Sequence, residues 1–187
     1  MKFVDKVLQK WRVSKTLSEL SKLQGRISVL DVGCYEPVLL RRLKGKLESG
    51  TGIDPSVNAI TTLESITLLP GYFPDDMPEN SGKYDALCML AVIEHMPENV
   101  LQNLDKSCAS FLNKGGRVII TAPHPFVDHI LEVLCKLRLI DGIALEEHHE
   151  FDVEQIPELF EGKGLFRMIS RRRFQLGLNN IYVFEKL

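Results

Sequence analysis

Ile27-Ser28-Val29-Leu30-Asp31-Val32-Gly33 is the stretch whose reading decides the fold. It is apolar in both alternating registers and stops at a glycine, the pattern of a buried strand in a parallel sheet covered on both faces. Beyond it, residues 37–43 read as a helix with Pro37 in the first turn, where a missing N–H costs nothing. Gly50-Thr51-Gly52-Ile53-Asp54 reads as a second strand, residues 56 to about 64 as a helix, and Ile66-Thr67-Leu68-Leu69 as a third strand. Residues 85–90 make a fourth strand, 98–112 a helix, and 117–122 a fifth strand after the turn Lys114-Gly115-Gly116. This alternation predicts an α/β fold whose parallel sheet carries helices on both faces.

The flanks read differently. Phe3, Val4, Val7, Leu8, Trp11, Leu17 and Leu20 fall largely at helical spacing, so residues 1–25 are expected to hold one or two amphipathic helices with Trp11 as a core anchor. Residues 126–139 look helical. Asp152 is placed to cap a helix reaching about Gly162, with Glu154 and Glu158 near its positive end. Residues 165–175 and 180–185 alternate as strands around Gly177-Leu178-Asn179-Asn180, a hairpin that closes the sheet with an antiparallel strand.

The length of 187 residues suits one domain over residues 1–187. With 44% hydrophobic and 26% charged residues, the composition excludes disordered, collagenous and disulfide-rich classes. A net charge of −2 argues against a dedicated nucleic-acid partner, whose affinity needs dense Lys and Arg. Cys34, Cys88, Cys108 and Cys135 form no CxxC pair and read as reduced thiols of a cytoplasmic protein. No apolar run approaches the roughly 18 residues of a membrane span, so no span is expected.

The chemistry gathers around the first two strands. Asp54 follows Gly33 by 21 residues and ends the second strand. In a nucleotide-type site the glycine turn exposes backbone N–H groups, and an acid about 20 residues on accepts hydrogen bonds from both ribose hydroxyls. The plainer alternative makes Asp54-Pro55-Ser56 a helix start. His95 follows the fourth strand near the carboxyl edge of the sheet, where an imidazole is suited to take a proton; the alternative role of Glu94-His95 is to brace the following helix. His124, His129, His148 and His149 cluster late in the chain but lack HxH or HxxxH spacing, and no metal site is expected. Arg171-Arg172-Arg173 reads as a solvated sheet edge.

Taken in order, Val29-Leu30-Asp31-Val32-Gly33-Cys34, Gly52-Ile53-Asp54-Pro55-Ser56, residues 84–96 and residues 112–123 resemble the class I S-adenosylmethionine-dependent methyltransferases over about residues 27–187. The resemblance implies a Rossmann-like seven-stranded sheet of order 3-2-1-4-5-7-6 with strand 7 antiparallel. It implies S-adenosyl-L-methionine as cofactor, with Asp31, Gly33 and Cys34 under its methionine part and Asp54 at the ribose. Pro55 or Ile53 then flanks the adenine, Phe73 packs on it, and Leu90 and Ala91 line the pocket near the sulfonium. The segment near 124–150 becomes a substrate lid. The implied function is methyl transfer to a small-molecule, lipid-linked or sugar-linked acceptor, with His95 as the candidate catalytic base.

Two departures from the family pattern stand out. Its second glycine is replaced here by Tyr35, and Pro37 follows; an ordinary φ at Tyr35, with the ring turned away from the cofactor, is the expectation. The acid usual after strand three is replaced by Tyr72, while Asp75 and Asp76 read as loop charges. These departures keep a second reading open, a catalytically inactive module of the same fold. A nicotinamide oxidoreductase is disfavoured because Gly33-Cys34-Tyr35-Glu36-Pro37 lacks the glycine needed for close pyrophosphate approach.

Overall fold

Alternate side chains of the first strand enter opposite apolar clusters: Ile27 and Val29 one, Leu30 and Val32 the other. A sheet therefore runs through the middle of the molecule. The computed structural model describes residues 3–123 and 152–187. The expected lid, with His124, His129, Cys135, His148 and His149, lies outside the described residues.

Among the described residues the strands are β1 (Ile27–Val32), β2 (Leu47–Asp54), β3 (Thr61–Leu63), β4 (Ile66–Pro70), β5 (Tyr84–Leu90), β6 (Leu112–Pro123), β7 (Phe166–Phe174) and β8 (Asn179–Lys186). The helices are α1 (Phe3–Leu20), α2 (Val38–Leu43), α3 (Glu98–Leu101), α4 (Leu104–Phe111) and α5 (Ile156–Glu161). Sheet order is β3-β4-β2-β1-β5-β6-β8-β7. Strands β4, β2, β1, β5 and β6 are mutually parallel, while β8 is antiparallel to both of its neighbours. With β3 set aside, the remaining strands follow the expected 3-2-1-4-5-7-6, so the sheet has eight strands rather than seven.

The additional strand stands where a helix over 56–64 was expected. Thr61 and Thr62 are β-branched and favour extended backbone. Glu64, at φ +54, turns the chain straight back, so that β3 pairs antiparallel with β4. Upstream, Asp54 accepts the Ser56 amide and sets a turn instead of a first helical turn.

Other boundaries shift less. Pro37 sits at the N-cap of α2, one position before the helix. The helix expected over 98–112 divides into α3 and α4 at Gln102-Asn103. Asp152 accepts the Glu154 amide at 2.9 Å and opens a 3-10 turn that leads into α5. One helix, α1, occupies the N-terminal region, and its buried stripe runs through Val13, Thr16 and Leu20. Trp11 falls off that stripe and is 49% exposed, which corrects its placement as a core anchor.

Helix α5 closes the other face. Phe160 is fully buried, stacked on Phe184 at 4.8 Å and edge-on to Phe166 at 5.4 Å. The carboxyl ends of the parallel strands then converge on the turns after β1, β2, β4 and β5, where open α/β sheets bind ligands.

Candidate functional site at the carboxyl edge of the sheet

Three turns build the site. After β1 the chain enters Gly33, whose N–H donates to the Ile53 carbonyl at 2.8 Å. Its φ is +70, and a Cβ there would lie 2.3 Å from Val92 Cγ2, so only glycine fits. Tyr35 also has a left-handed backbone, φ +45, which corrects the ordinary angle expected of it. The cause is a clamp from the neighbouring strand: the Tyr35 N–H donates to Asp54 Oδ2 at 2.8 Å. The ring does turn outward, 63% exposed. Tyrosine thus holds the backbone shape glycine would give, at a cost of about 1–2 kcal/mol.

Asp54, at the end of β2, is 8% exposed. Its Oδ1 accepts both the amide (2.9 Å) and the hydroxyl of Ser56. Three donors therefore fix the carboxylate, and two oxygens with about four lone-pair sites leave it able to accept one more. Ala91, after β5, is a third left-handed residue at φ +59, held by donation from its N–H to the Thr121 carbonyl at 2.8 Å. Strained backbone at Tyr35 and Ala91 marks this edge of the sheet as a place where shape is enforced by neighbours.

Two cavities share Gly33 as a wall. One, of about 240 Å³, lies between α1 and the turn after β1 and is lined by Asp31, Cys34 and Leu90 together with Gln9 and Arg12 of α1. The larger, of about 700 Å³, is lined by Asp54, Pro55, Phe73, Ala91 and His95 among others. The structure brings every sequence-chosen residue to one of these two spaces: Asp31, Gly33, Cys34 and Leu90 at the smaller; Gly33, Asp54, Pro55, Phe73, Ala91 and His95 at the larger. Phe73 is buried and packs on Phe111 at 5.5 Å, while His95 is exposed at the rim.

Asp31 is 4% exposed, and its carboxylate accepts no hydrogen bond among the described residues. Burial first, and the Asp54 charge second, push it up to about 7. The same burial, with Asp31 and Asp54 adding to it, pushes the Cys34 thiol up to about 12. Cys34 is thus a neutral wall group rather than a nucleophile.

Asp75 and Asp76, read from the sequence as loop charges, both line the larger cavity, and Asp76 also braces its own loop. Its Oδ2 accepts the Tyr72 amide at 2.7 Å and fills the space a Cβ on Gly71 would need. The arginine triplet lies on edge strand β7, with Arg171 paired to Glu154 and Arg172 to Glu19 at 2.8 Å. Sequence reasoning missed the part of α1: Gln9 and Arg12 reach the smaller cavity, and helical period alone does not tell which neighbour a polar face meets. It also missed Met96, Asn99 and Val100, which line the larger cavity from the segment after β5.

A mostly parallel sheet with a glycine turn after its first strand and a buried carboxylate ending its second defines a nucleotide-type binding protein of the open α/β class. The chain belongs to the methyltransferase-domain family, which matches residues 6–170. It is similar to the ubiquinone biosynthesis O-methyltransferase of Vibrio parahaemolyticus, 27% identical over 149 residues, 75% of this chain and 62% of that protein. It is 31% identical over 106 residues to the ubiquinone biosynthesis O-methyltransferase of Marinobacter nauticus, covering 56% of this chain and 38% of that one. The chain thus spans less than two-thirds of the length of these relatives. Among solved structures, magnesium protoporphyrin IX methyltransferase from Synechocystis PCC 6803, crystallised with bound SAH, superposes with a TM-score of 0.71 at 18% identity over 100% of this chain and 89% of that one. A putative methyltransferase of Haloferax volcanii, in complex with its Trm112 activator, gives 0.71 at 15% identity, covering 97% and 93%. These likenesses show the fold.

Proposed function

We propose that this chain is an S-adenosylmethionine-dependent methyltransferase acting on a hydroxyl-bearing small molecule, lipid-linked or sugar-linked acceptors included. The observation that carries the reading is the pair of cavities sharing Gly33, with an Asp31 carboxylate that accepts no hydrogen bond among the described residues in one and the clamped Asp54 in the other. A ligand with a cationic end and a ribose end fits that donor set. The smaller space suits an amino-acid chain; the larger suits a nucleoside with room beside it for an acceptor. The names of the relatives, O-methyltransferases, support an oxygen acceptor.

In this reading Asp54 accepts a ribose hydroxyl at its remaining lone-pair site, and Gly33, Pro55 and Phe73 shape the adenosine wall. Leu90, Ala91 and Cys34 give a neutral, mostly dry lining around the reacting centre. The cofactor supplies an electrophilic methyl group on a positive sulfonium. His95, at the rim of the larger cavity, accepts the hydroxyl proton of the acceptor as the new bond to oxygen forms. Much of the acceleration comes from holding the two partners in line, so loss of the base is expected to slow the reaction rather than abolish it.

The test is transfer of a labelled methyl group from S-adenosylmethionine to a panel of phenols and aliphatic alcohols. Label in at least one hydroxyl acceptor, lost in Asp54→Ala and reduced about a hundredfold in His95→Gln, is the expected result. A chain that binds the cofactor yet labels no acceptor is instead the inactive module that Tyr35 and Tyr72 kept open.

A further inference from the structure

Asn180 is fully buried, yet neither its Nδ2 nor its Oδ1 has a hydrogen-bond partner among the described residues. A buried amide with both ends unpaired is costly, and such a group in a folded chain calls for a partner. Its place in the sheet indicates which. Because β8 runs antiparallel to β6, the first residues of β8 stand at the carboxyl edge of the parallel strands. Asn180 pairs in register with Ala122 of β6 on one side and with Arg173 of β7 on the other. Side chains alternate along a strand, so Asn180 shares the face of Tyr182 and Phe184. Arg173 shares the face of Arg171, whose guanidinium lies over the Tyr182 ring at 5.2 Å. Asn180 and Arg173 are therefore neighbours on one face. The Ala91 amide donates to the Thr121 carbonyl at 2.8 Å, which joins the wall of the larger cavity to the same end of β6. At ~4.8 Å per strand, β8 and β7 lie about 10 and 14 Å from the strand that carries Ala91 into that wall.

Arg173 is the member of the arginine triplet that has no acid. Arg171 pairs with Glu154 and Arg172 with Glu19, whereas Arg173 is exposed and makes no ion pair or side-chain hydrogen bond among the described residues. The acids nearby are engaged elsewhere: Glu154 on Arg171, and Asp152 on the Glu154 amide. A guanidinium beside an amide N–H offers converging donors to one flat anion. Its single positive charge balances one carboxylate rather than a doubly charged phosphate. Asn180 Oδ1 is left to accept an O–H or N–H carried by the same ligand.

Resting on the methyltransferase reading, we propose that Arg173 and Asn180 form a carboxylate site for the methyl acceptor. The acceptor is then an acid, with its hydroxyl at the larger cavity and its carboxylate about 10 Å along the carboxyl edge. Arg173 meets the carboxylate at the surface, and the group seats inward against the Asn180 amide. The two residues decide which acceptor is held and take no part in the transfer itself.

Calorimetric titration of the full chain with 4-hydroxycinnamate and with its methyl ester tests this. Both are flat phenols, and only the acid carries a charge at the far end. The acid is expected to bind at least about tenfold more tightly than the ester. Arg173→Gln should abolish that preference and Arg173→Lys restore part of it, with S-adenosylhomocysteine binding held within about twofold in both. Asn180→Leu removes an unpaired buried amide, so its melting temperature should be unchanged or higher while the acid weakens at least about fivefold. An acid bound no better than the ester, or a preference that survives Arg173→Gln, overturns the site. An Asn180→Leu chain that melts lower and binds the acid as before makes Asn180 a packing residue and overturns its part. Failure of the unaltered chain to bind S-adenosylhomocysteine overturns the methyl-donor reading instead, and the acid titration still decides the site.

Discussion

Tyr35 shows how a site can keep its backbone shape after losing the residue type that usually provides it. Its φ of +45 is held by an N–H bond to Asp54, and its ring points to solvent. The bond belongs to the backbone, so Tyr35→Gly should preserve it. Affinity for S-adenosylhomocysteine is expected to move less than about threefold; a tenfold gain, about 1.4 kcal/mol, would show that the ring obstructs the site. Asp31 makes a different prediction. Its carboxyl is raised from 3.8 to about 7, so between these values the folded chain holds a proton that the unfolded chain has released. Stability from this group is therefore greatest below about pH 4, falls as pH rises, and levels off above about 7. Thermal melts of the ligand-free protein across pH 5 to 8 should show this decline in the natural chain and a flatter profile in Asp31→Asn. A profile unchanged by the substitution would mean that Asp31 is ionised throughout. The residue types at Asp31, Gly33 and Asp54 were legible in the sequence because each answers a local demand. The backbone angle of Tyr35 was not legible, because its cause is a hydrogen bond from a residue 19 positions away.

Among the elements, those set by strong apolar alternation were readable and those set by pairing were not. Strands β1, β5, β6 and β8 each hold consecutive buried positions, at 29–32, 86–89, 118–122 and 179–184, and most of these are apolar in the sequence. The segment 56–64 contains no such signal; its fate was decided by the turn at Glu64 and by the free edge of β4, both tertiary facts. Likewise the helical period of α1 was visible, but the sheet face it meets chose Val13 over Trp11 for burial. Helix α5 depends on one residue more than any other. Phe160 is fully buried between Phe166 and Phe184, so Phe160→Ala should cost about 3–5 kcal/mol in chemical denaturation. A loss below about 1 kcal/mol would mean that the cavity collapses and that α5 packs through other side chains.

Across the whole molecule, the topology places function at one edge. Every parallel strand delivers its carboxyl end to the same side, and the order reversal between β1 and β5 opens the crevice there. Helix α1 closes that crevice from one face, and the far hairpin of β7 and β8 holds α1 in place. The acceptor stayed illegible because the groups that would choose it line a broad rim rather than a motif. The cofactor was legible because it demands a few residue types at fixed spacing. The most direct measurement of the central claim is a calorimetric titration of the chain with S-adenosylhomocysteine and, separately, with NAD. The account predicts a one-to-one complex with the first, weakened about tenfold to a hundredfold by Asp54→Ala, and no saturable heat with the second. Saturable NAD binding with no response to S-adenosylhomocysteine would contradict it.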